Sequence, residues 1–399
     1  MKLSSRLNGL EESVTLAITA KAKALKAGGR DIIGFGAGEP DFDTPENIKD
    51  AAIKAIRDGQ TKYTPVGGIN ELKDAVIGKF KRDNGLVYSR DEVIVSCGGK
   101  HSIYNLFQAI LDEGDEVIIP SPYWVSYPVM VMMGGGRPVI VRTAESSGFK
   151  MTPEDFSKKI TNRTKAVVIN SPSNPTGAAY TAEELEAIAG TALKNNVFII
   201  TDDIYEKLVY GGFKFTSIAS VSEEVKRNSI VLNGVSKTYS MTGWRIGFAA
   251  GPRDIIKAMT NIQSQSTSNP ASISQWAAVE ALNGAQDAVA RMVKEFEKRR
   301  DVMVDGLNAI EGVFAFRPQG AFYVFANVSG VFGKRHEDTV INNSVDMAKY
   351  LLEGDDKGVA VVPGEPFGDG SYVRLSYATS LENVAEGVRR IREAVRRLR

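Results

Sequence analysis

Short, unbroken apolar runs punctuate the middle of the chain. They are Val93-Ile94-Val95, Val117-Ile118-Ile119, Ala166-Val167-Val168-Ile169, Val197-Phe198-Ile199-Ile200, Ile230-Val231-Leu232 and Ile246-Gly247-Phe248-Ala249-Ala250. Continuous rather than alternating runs of this length predict strands covered on both faces. Between several of them the spacing turns helical, as over residues 100–112, where Ile103, Leu106, Phe107 and Ile110 share one face. Strand, helix and strand in that order predict a mostly parallel α/β sheet, in which ligands gather at the carboxyl ends of the strands. Asn170, Asp202 and Lys237 all stand just past such ends.

The flanking segments are patterned differently. Residues 12–27 read as a helix ending at Gly28-Gly29, and residues 34–38 are glycine-rich, either a plain loop or a place where backbone approaches a ligand closely. Thr44-Pro45-Glu46 predicts a helix start with Thr44 as cap, and a second helix runs from Asn70 to Asn84 with Gly85 as its stop. Beyond residue 270 come helices over Ser272–Leu282 and Ala285–Ile310, the second long enough to bridge to another domain. An aromatic strand (Ala321–Phe325), a helix near 344–353, short strands near 359–362 and 372–377 and a terminal helix follow. Arg389, Arg390, Arg396 and Arg397 read as a solvated face of that last helix. The expected division is an N-terminal arm (1–40) packing with the C-terminal part, a large domain (41–290) and a small domain (291–399).

Composition narrows the function classes. The 399 residues carry 49 basic and 48 acidic side chains, net +1, which argues against a nucleic-acid or membrane-surface protein. No apolar stretch reaches the ~18 residues of a membrane span, and Met1–Leu7 lacks the apolar run of a signal peptide, so a cytoplasmic protein is expected. Cys97 is the single cysteine, which rules out an internal disulfide and reads as a small buried filler. Two histidines, His101 and His336, make a histidine-based metal centre unexpected.

Candidate chemistry sits in four segments. Ser236-Lys237 follows a strand, and Gly243-Trp244-Arg245 closes the same stretch eight residues after the lysine. Ser171-Pro172-Ser173-Asn174-Pro175-Thr176-Gly177, Asp202-Asp203-Ile204-Tyr205 and Tyr372-Val373-Arg374-Leu375-Ser376 supply the rest. Singly each is weak: Asn174-Pro175 is also an ordinary turn, Trp124 also a core tryptophan, Arg245 also a structural ion-pair partner. Together, a Schiff-base lysine, a carboxylate for a pyridine nitrogen and two arginines for phosphate and carboxylate are the parts of a pyridoxal-phosphate site.

With these motifs in the order Gly38, Tyr63, Gly98-Gly99-Lys100, Trp124, Asn174-Pro175-Thr176-Gly177, Asp202, Tyr205, Lys237, Arg245 and Arg374, the chain resembles the class I aminotransferases over nearly its full length. These are the aspartate aminotransferase-like, fold-type I pyridoxal-phosphate enzymes. The text is most similar to their bacterial aspartate subgroup, in which prephenate is sometimes also a substrate. The resemblance implies Lys237, Asp202 and Tyr205 as catalytic residues. Gly98, Gly99, Lys100, Trp124, Asn174 and Arg245 would join them around the cofactor, with Tyr63 reaching the cofactor phosphate of a neighbouring subunit in a homodimer. Gly38, Lys100, Trp124, Asn174 and Arg374 would hold the substrate. The implied reaction passes an amino group from L-aspartate to 2-oxoglutarate by a ping-pong route. The alternatives are prephenate, aromatic or broad specificity, or a β-lyase acting on cysteine conjugates. Lys100 would meet the second carboxylate of an acidic substrate, or else only balance the cofactor phosphate. One position departs from the pattern: where many relatives carry a phosphate-binding serine three residues before the lysine, this chain has Gly234. The N-terminal segment, including Val14–Leu25, is expected to close over the site.

Overall fold

The structure, a computed structural model, describes residues 14–399. The start of the expected N-terminal arm, including Met1–Leu7, lies outside the described residues. The frame is a seven-stranded sheet in the order Val93–Ser96, Gly247–Ala250, Ser229–Gly234, Phe198–Asp202, Thr164–Asn170, Glu116–Ser121, Arg137–Arg142. Neighbours from Ser229–Gly234 to the far edge pair parallel, and Gly247–Ala250 alone runs against both of its neighbours.

The unbroken apolar runs have a direct cause. Successive residues of a strand face opposite sides, and both sides of this sheet are packed. Ile94, Val117, Ile119, Ala166, Val168, Ile200 and Ile230 face the helices Gly99–Ile110 and Arg253–Ser266. Ile118, Val167, Ile169 and Ile199 face the helix Ala182–Lys194. The strand Arg137–Arg142 has no counterpart among the sequence expectations. It is an edge strand with arginine at both ends and Pro138 inside, and only its partner Glu116–Ser121 makes it a strand.

The C-terminal part holds a four-stranded antiparallel sheet (Val362–Pro363, Tyr372–Ser376, Tyr323–Asn327, Phe314–Ala315), with the helices Asp287–Asn308 and Leu381–Arg397 packed on each other. Ile33–Gly34 pairs parallel with Val359–Ala360, which ties the glycine-rich segment to this part.

Three local expectations are corrected. Thr44 does not cap the helix Glu46–Arg57, which starts behind Pro45 without a side-chain cap. Its hydroxyl donates instead to the Ser240 carbonyl (2.7 Å) and accepts from Trp244 Nε1 (3.0 Å), two partners remote in sequence. Arg390 is not on a solvated face: it is 8% exposed and held by Asp31 (2.6 Å) and Glu386 (2.8 Å). Cys97 is half-buried rather than a sealed filler.

Candidate active site

Asn170 and Asp202 end adjacent parallel strands and stand opposite each other in register. The Asp202 carboxylate is buried, accepting from the Tyr127 hydroxyl at 2.6 Å and from the Ile204 amide at 3.3 Å. Burial pushes its pKa up to about 6, while Tyr127, the Ile204 amide and the charge of Lys237 pull the other way. Asp203 belongs elsewhere. Its side chain accepts from Thr201 (2.6 Å), and burial pushes it up to about 7.

Lys237 follows the strand Ser229–Gly234, and its ammonium donates to the Gly38 carbonyl at 2.6 Å. Burial brings its pKa down to about 8, with Glu39 and Asp202 opposing and Arg374 and Arg245 assisting. Arg245 has a left-handed backbone (φ 58°) and donates to the Thr242 carbonyl at 2.9 Å. Gly98 begins the helix Gly99–Ile110 at φ 90°, and a Cβ there would come within 2.6 Å of the Arg245 guanidinium. This glycine therefore brings the positive end of a helix and an arginine together, a combination suited to a phosphate.

Arg374 lies at the other end. It is 2% exposed, donating to Asn174 Oδ1 (3.0 Å) and the Gly36 carbonyl (2.8 Å), with its guanidinium 4.5 Å from the Tyr323 ring. Its Nε is buried without a hydrogen-bond partner among the described residues. Trp124 stands edge-on to Tyr127 (5.2 Å, 88°), and the Lys100 ammonium lies 5.1 Å from the Trp124 ring. Burial and the charge of Arg245 lower the Lys100 pKa.

One cavity of about 410 Å³ is lined by Gly38, Gly99, Lys100, Trp124, Asn174, Asp202, Tyr205, Lys237, Arg245 and Arg374. Of the expected site residues, Gly98 sits behind Arg245, and Tyr63 is 92% exposed outside the cavity. The structure adds Tyr127, Tyr323, Asn233, Ser236 and Glu39 to the lining. Tyr127 carried no usable signal, since the partner that gives its hydroxyl a role, Asp202, lies 75 residues away. Tyr323 carried none beyond its aromatic strand. Among the described residues, no group of three or more His, Cys, Asp or Glu is placed to hold a metal.

Pyridoxal phosphate fits this donor set. An amine near neutrality, a buried carboxylate, a helix start with an arginine and a second arginine with an unpartnered N–H answer its aldehyde, ring nitrogen, phosphate and amino-acid carboxylate in turn. A mostly parallel sheet presenting Asp202, Lys237 and the helix start at Gly98–Gly99 at its carboxyl edge is the frame of a fold-type I pyridoxal-phosphate enzyme. The chain belongs to the aminotransferase class I and II family, whose model matches residues 30–391. That family depends on pyridoxal phosphate, and the chain is an aminotransferase. It is 55% identical to an aspartate aminotransferase of Geobacillus stearothermophilus over 98% of both chains. It is 53% identical to a probable aspartate/prephenate aminotransferase of Rickettsia bellii, again over 98% of both. The crystal structure of the aspartate aminotransferase from Rhizobium meliloti superposes with a TM-score of 0.96, at 47% identity and 100% coverage of both chains.

Proposed function

We propose that this aminotransferase takes its amino group from L-aspartate, passes it to 2-oxoglutarate, and works as a cytoplasmic homodimer. The observation that carries the site assignment is Lys237 Nζ, held at 2.6 Å from the Gly38 carbonyl in the cavity that also holds Asp202 and Arg374. In this reading Arg245, Gly98 and Gly99 would hold the cofactor phosphate, Asp202 would pair with the ring nitrogen, Tyr205 and Asn174 would meet the ring oxygen, and Trp124 would cover the ring. When bound, pyridoxal phosphate supplies the electron sink that lets the substrate Cα–H bond break.

The chain's own residues do the rest. Arg374 clamps the α-carboxylate through the N–H groups that its protein partners leave over, assisted by Asn174 and Gly38. That grip turns the Cα–H bond toward Lys237, whose Nζ takes the proton because burial keeps the amine near neutrality. Lys100, the cation beside Trp124, receives the second carboxylate. The relatives named for aspartate support this choice. A 1–40 and 291–399 small domain against a 41–290 large one is supported by the pairing of Ile33–Gly34 with Val359–Ala360. Among the described residues no helix is long and apolar enough to cross a membrane.

The test is a coupled assay with 2-oxoglutarate across aspartate, prephenate-derived and aromatic donors, on the natural chain and Lys237→Ala. Aspartate should give the highest kcat/KM, and the variant should lose it by at least about 10²- to 10⁴-fold. A higher kcat/KM with an aromatic donor would overturn the substrate, and an active variant would overturn the site.

A further inference from the structure

The strand Tyr323–Asn327 lies beside the strand that carries Arg374, with Phe325 opposite Arg374 in register. Tyr323, at its start, is buried and lines the cavity. Its ring stands 4.5 Å from the Arg374 guanidinium, and its hydroxyl is 2.9 Å from the Tyr205 hydroxyl. A Cβ on Gly38 would come to 3.2 Å from that same hydroxyl. One side chain therefore touches the arginine, the second tyrosine and the backbone segment that receives Lys237.

A phenol has one proton to give. Where two phenols share a hydrogen bond, one is the donor, and the acceptor keeps its own proton for another partner. Burial raises the pKa of both groups, so both stay protonated at neutral pH. We propose that Tyr323 is a positioning residue: its hydroxyl donates to Tyr205, leaving the Tyr205 proton free to point into the cavity, while its ring holds the Arg374 guanidinium in place for a carboxylate. The inference rests on the proposed roles of Tyr205 at the cofactor and Arg374 at the substrate. Donation by Tyr323 also polarises Tyr205, since hydrogen bonds in a chain strengthen one another. The opposite direction would spend the Tyr205 proton on Tyr323 and leave only an acceptor facing the ligand.

Two variants separate hydroxyl from ring. Tyr323→Phe keeps the ring over Arg374, and Tyr323→Leu removes it. Affinity of the apoprotein for pyridoxal phosphate is read by fluorescence, affinity of the loaded protein for maleate by spectral titration, and Tm alongside. Tyr323→Phe should weaken pyridoxal phosphate about five- to tenfold, the size of one net hydrogen bond. It should leave maleate within about twofold, because the cation–π contact persists. Tyr323→Leu should weaken maleate by about tenfold. Unchanged pyridoxal phosphate affinity in Tyr323→Phe would overturn the proposal, as would an equal loss of both ligands with a lowered Tm. Failure of the unmutated apoprotein to bind pyridoxal phosphate would instead remove the site assignment on which the proposal stands.

Discussion

An amine sealed from water gives up its proton more readily than one in solvent, and Lys237 combines that burial with two arginines nearby. The neutral amine is the nucleophile, so capture of pyridoxal phosphate by the apoprotein should accelerate as pH rises through about 8. Stopped-flow absorbance from about pH 6 to 11.5 reads that midpoint, and a midpoint near the free-lysine value of about 10.4 would refute the assignment. Lys100 offers a different reading. Lys100→Ser should raise KM for aspartate at least about tenfold and that for alanine by less than about twofold, as expected for a lost charge-assisted contact. Equal losses for both donors would make Lys100 a partner of the phosphate alone. Lys237, Asp202 and Arg374 could be picked from the sequence because their residue types and order belong to one chemistry. Tyr127 and Tyr323 could not, because the value of a hydroxyl depends on its partner. Those partners lie 75 and 118 residues away.

Elements were legible where a local rule fixes them. The helix Asn70–Asn84 stops at Gly85 because that residue adopts φ 68°, a left-handed conformation glycine takes freely. The core strands were legible because both faces are apolar. The edge strand Arg137–Arg142 was not, since its pairing is the property of a neighbour. Thr44 shows the same limit: its composition fits a cap, yet Ser240 and Trp244 claim its oxygen. The strand end at Gly234 supports a prediction. A Cβ there would come to 3.0 Å from the Ile246 carbonyl and 3.1 Å from Gly247 Cα, both backbone and both tight. Gly234→Ser should therefore lower stability by about 1 kcal/mol or more through overpacking, without tightening the hold on pyridoxal phosphate. Thermal unfolding of the apoprotein and cofactor titration measure the two effects separately. A variant as stable as the parent that binds the cofactor more tightly would show that the packing gives way.

At the scale of the whole molecule, the cavity exists only because distant parts of the chain meet. Arg374 donates to Asn174, 200 residues away, and to Gly36, 338 residues away. Any opening between the glycine-rich segment and the C-terminal sheet would break the Arg374–Gly36 hydrogen bond. Tyr63 is the expected site residue that this single chain leaves outside: 92% exposed, it presents a large aromatic ring to solvent. A single exposed ring needs no explanation of its own, but in the proposed dimer Tyr63 would reach the other protomer's phosphate. The arrangement has a signature that no monomer can imitate. Lys237→Ala protomers lack the amine but keep Tyr63; Tyr63→Phe protomers keep the amine but lose the hydroxyl. When the two are unfolded together and reassembled, a mixed dimer regains one site with both groups native. At limiting pyridoxal phosphate the mixture should then exceed the summed activity of its parents, by about twofold or more if the lost contact is worth the usual ~1 kcal/mol. Activity equal to that sum, in a sample shown by sedimentation to contain mixed dimers, would mean that Tyr63 serves its own protomer or none.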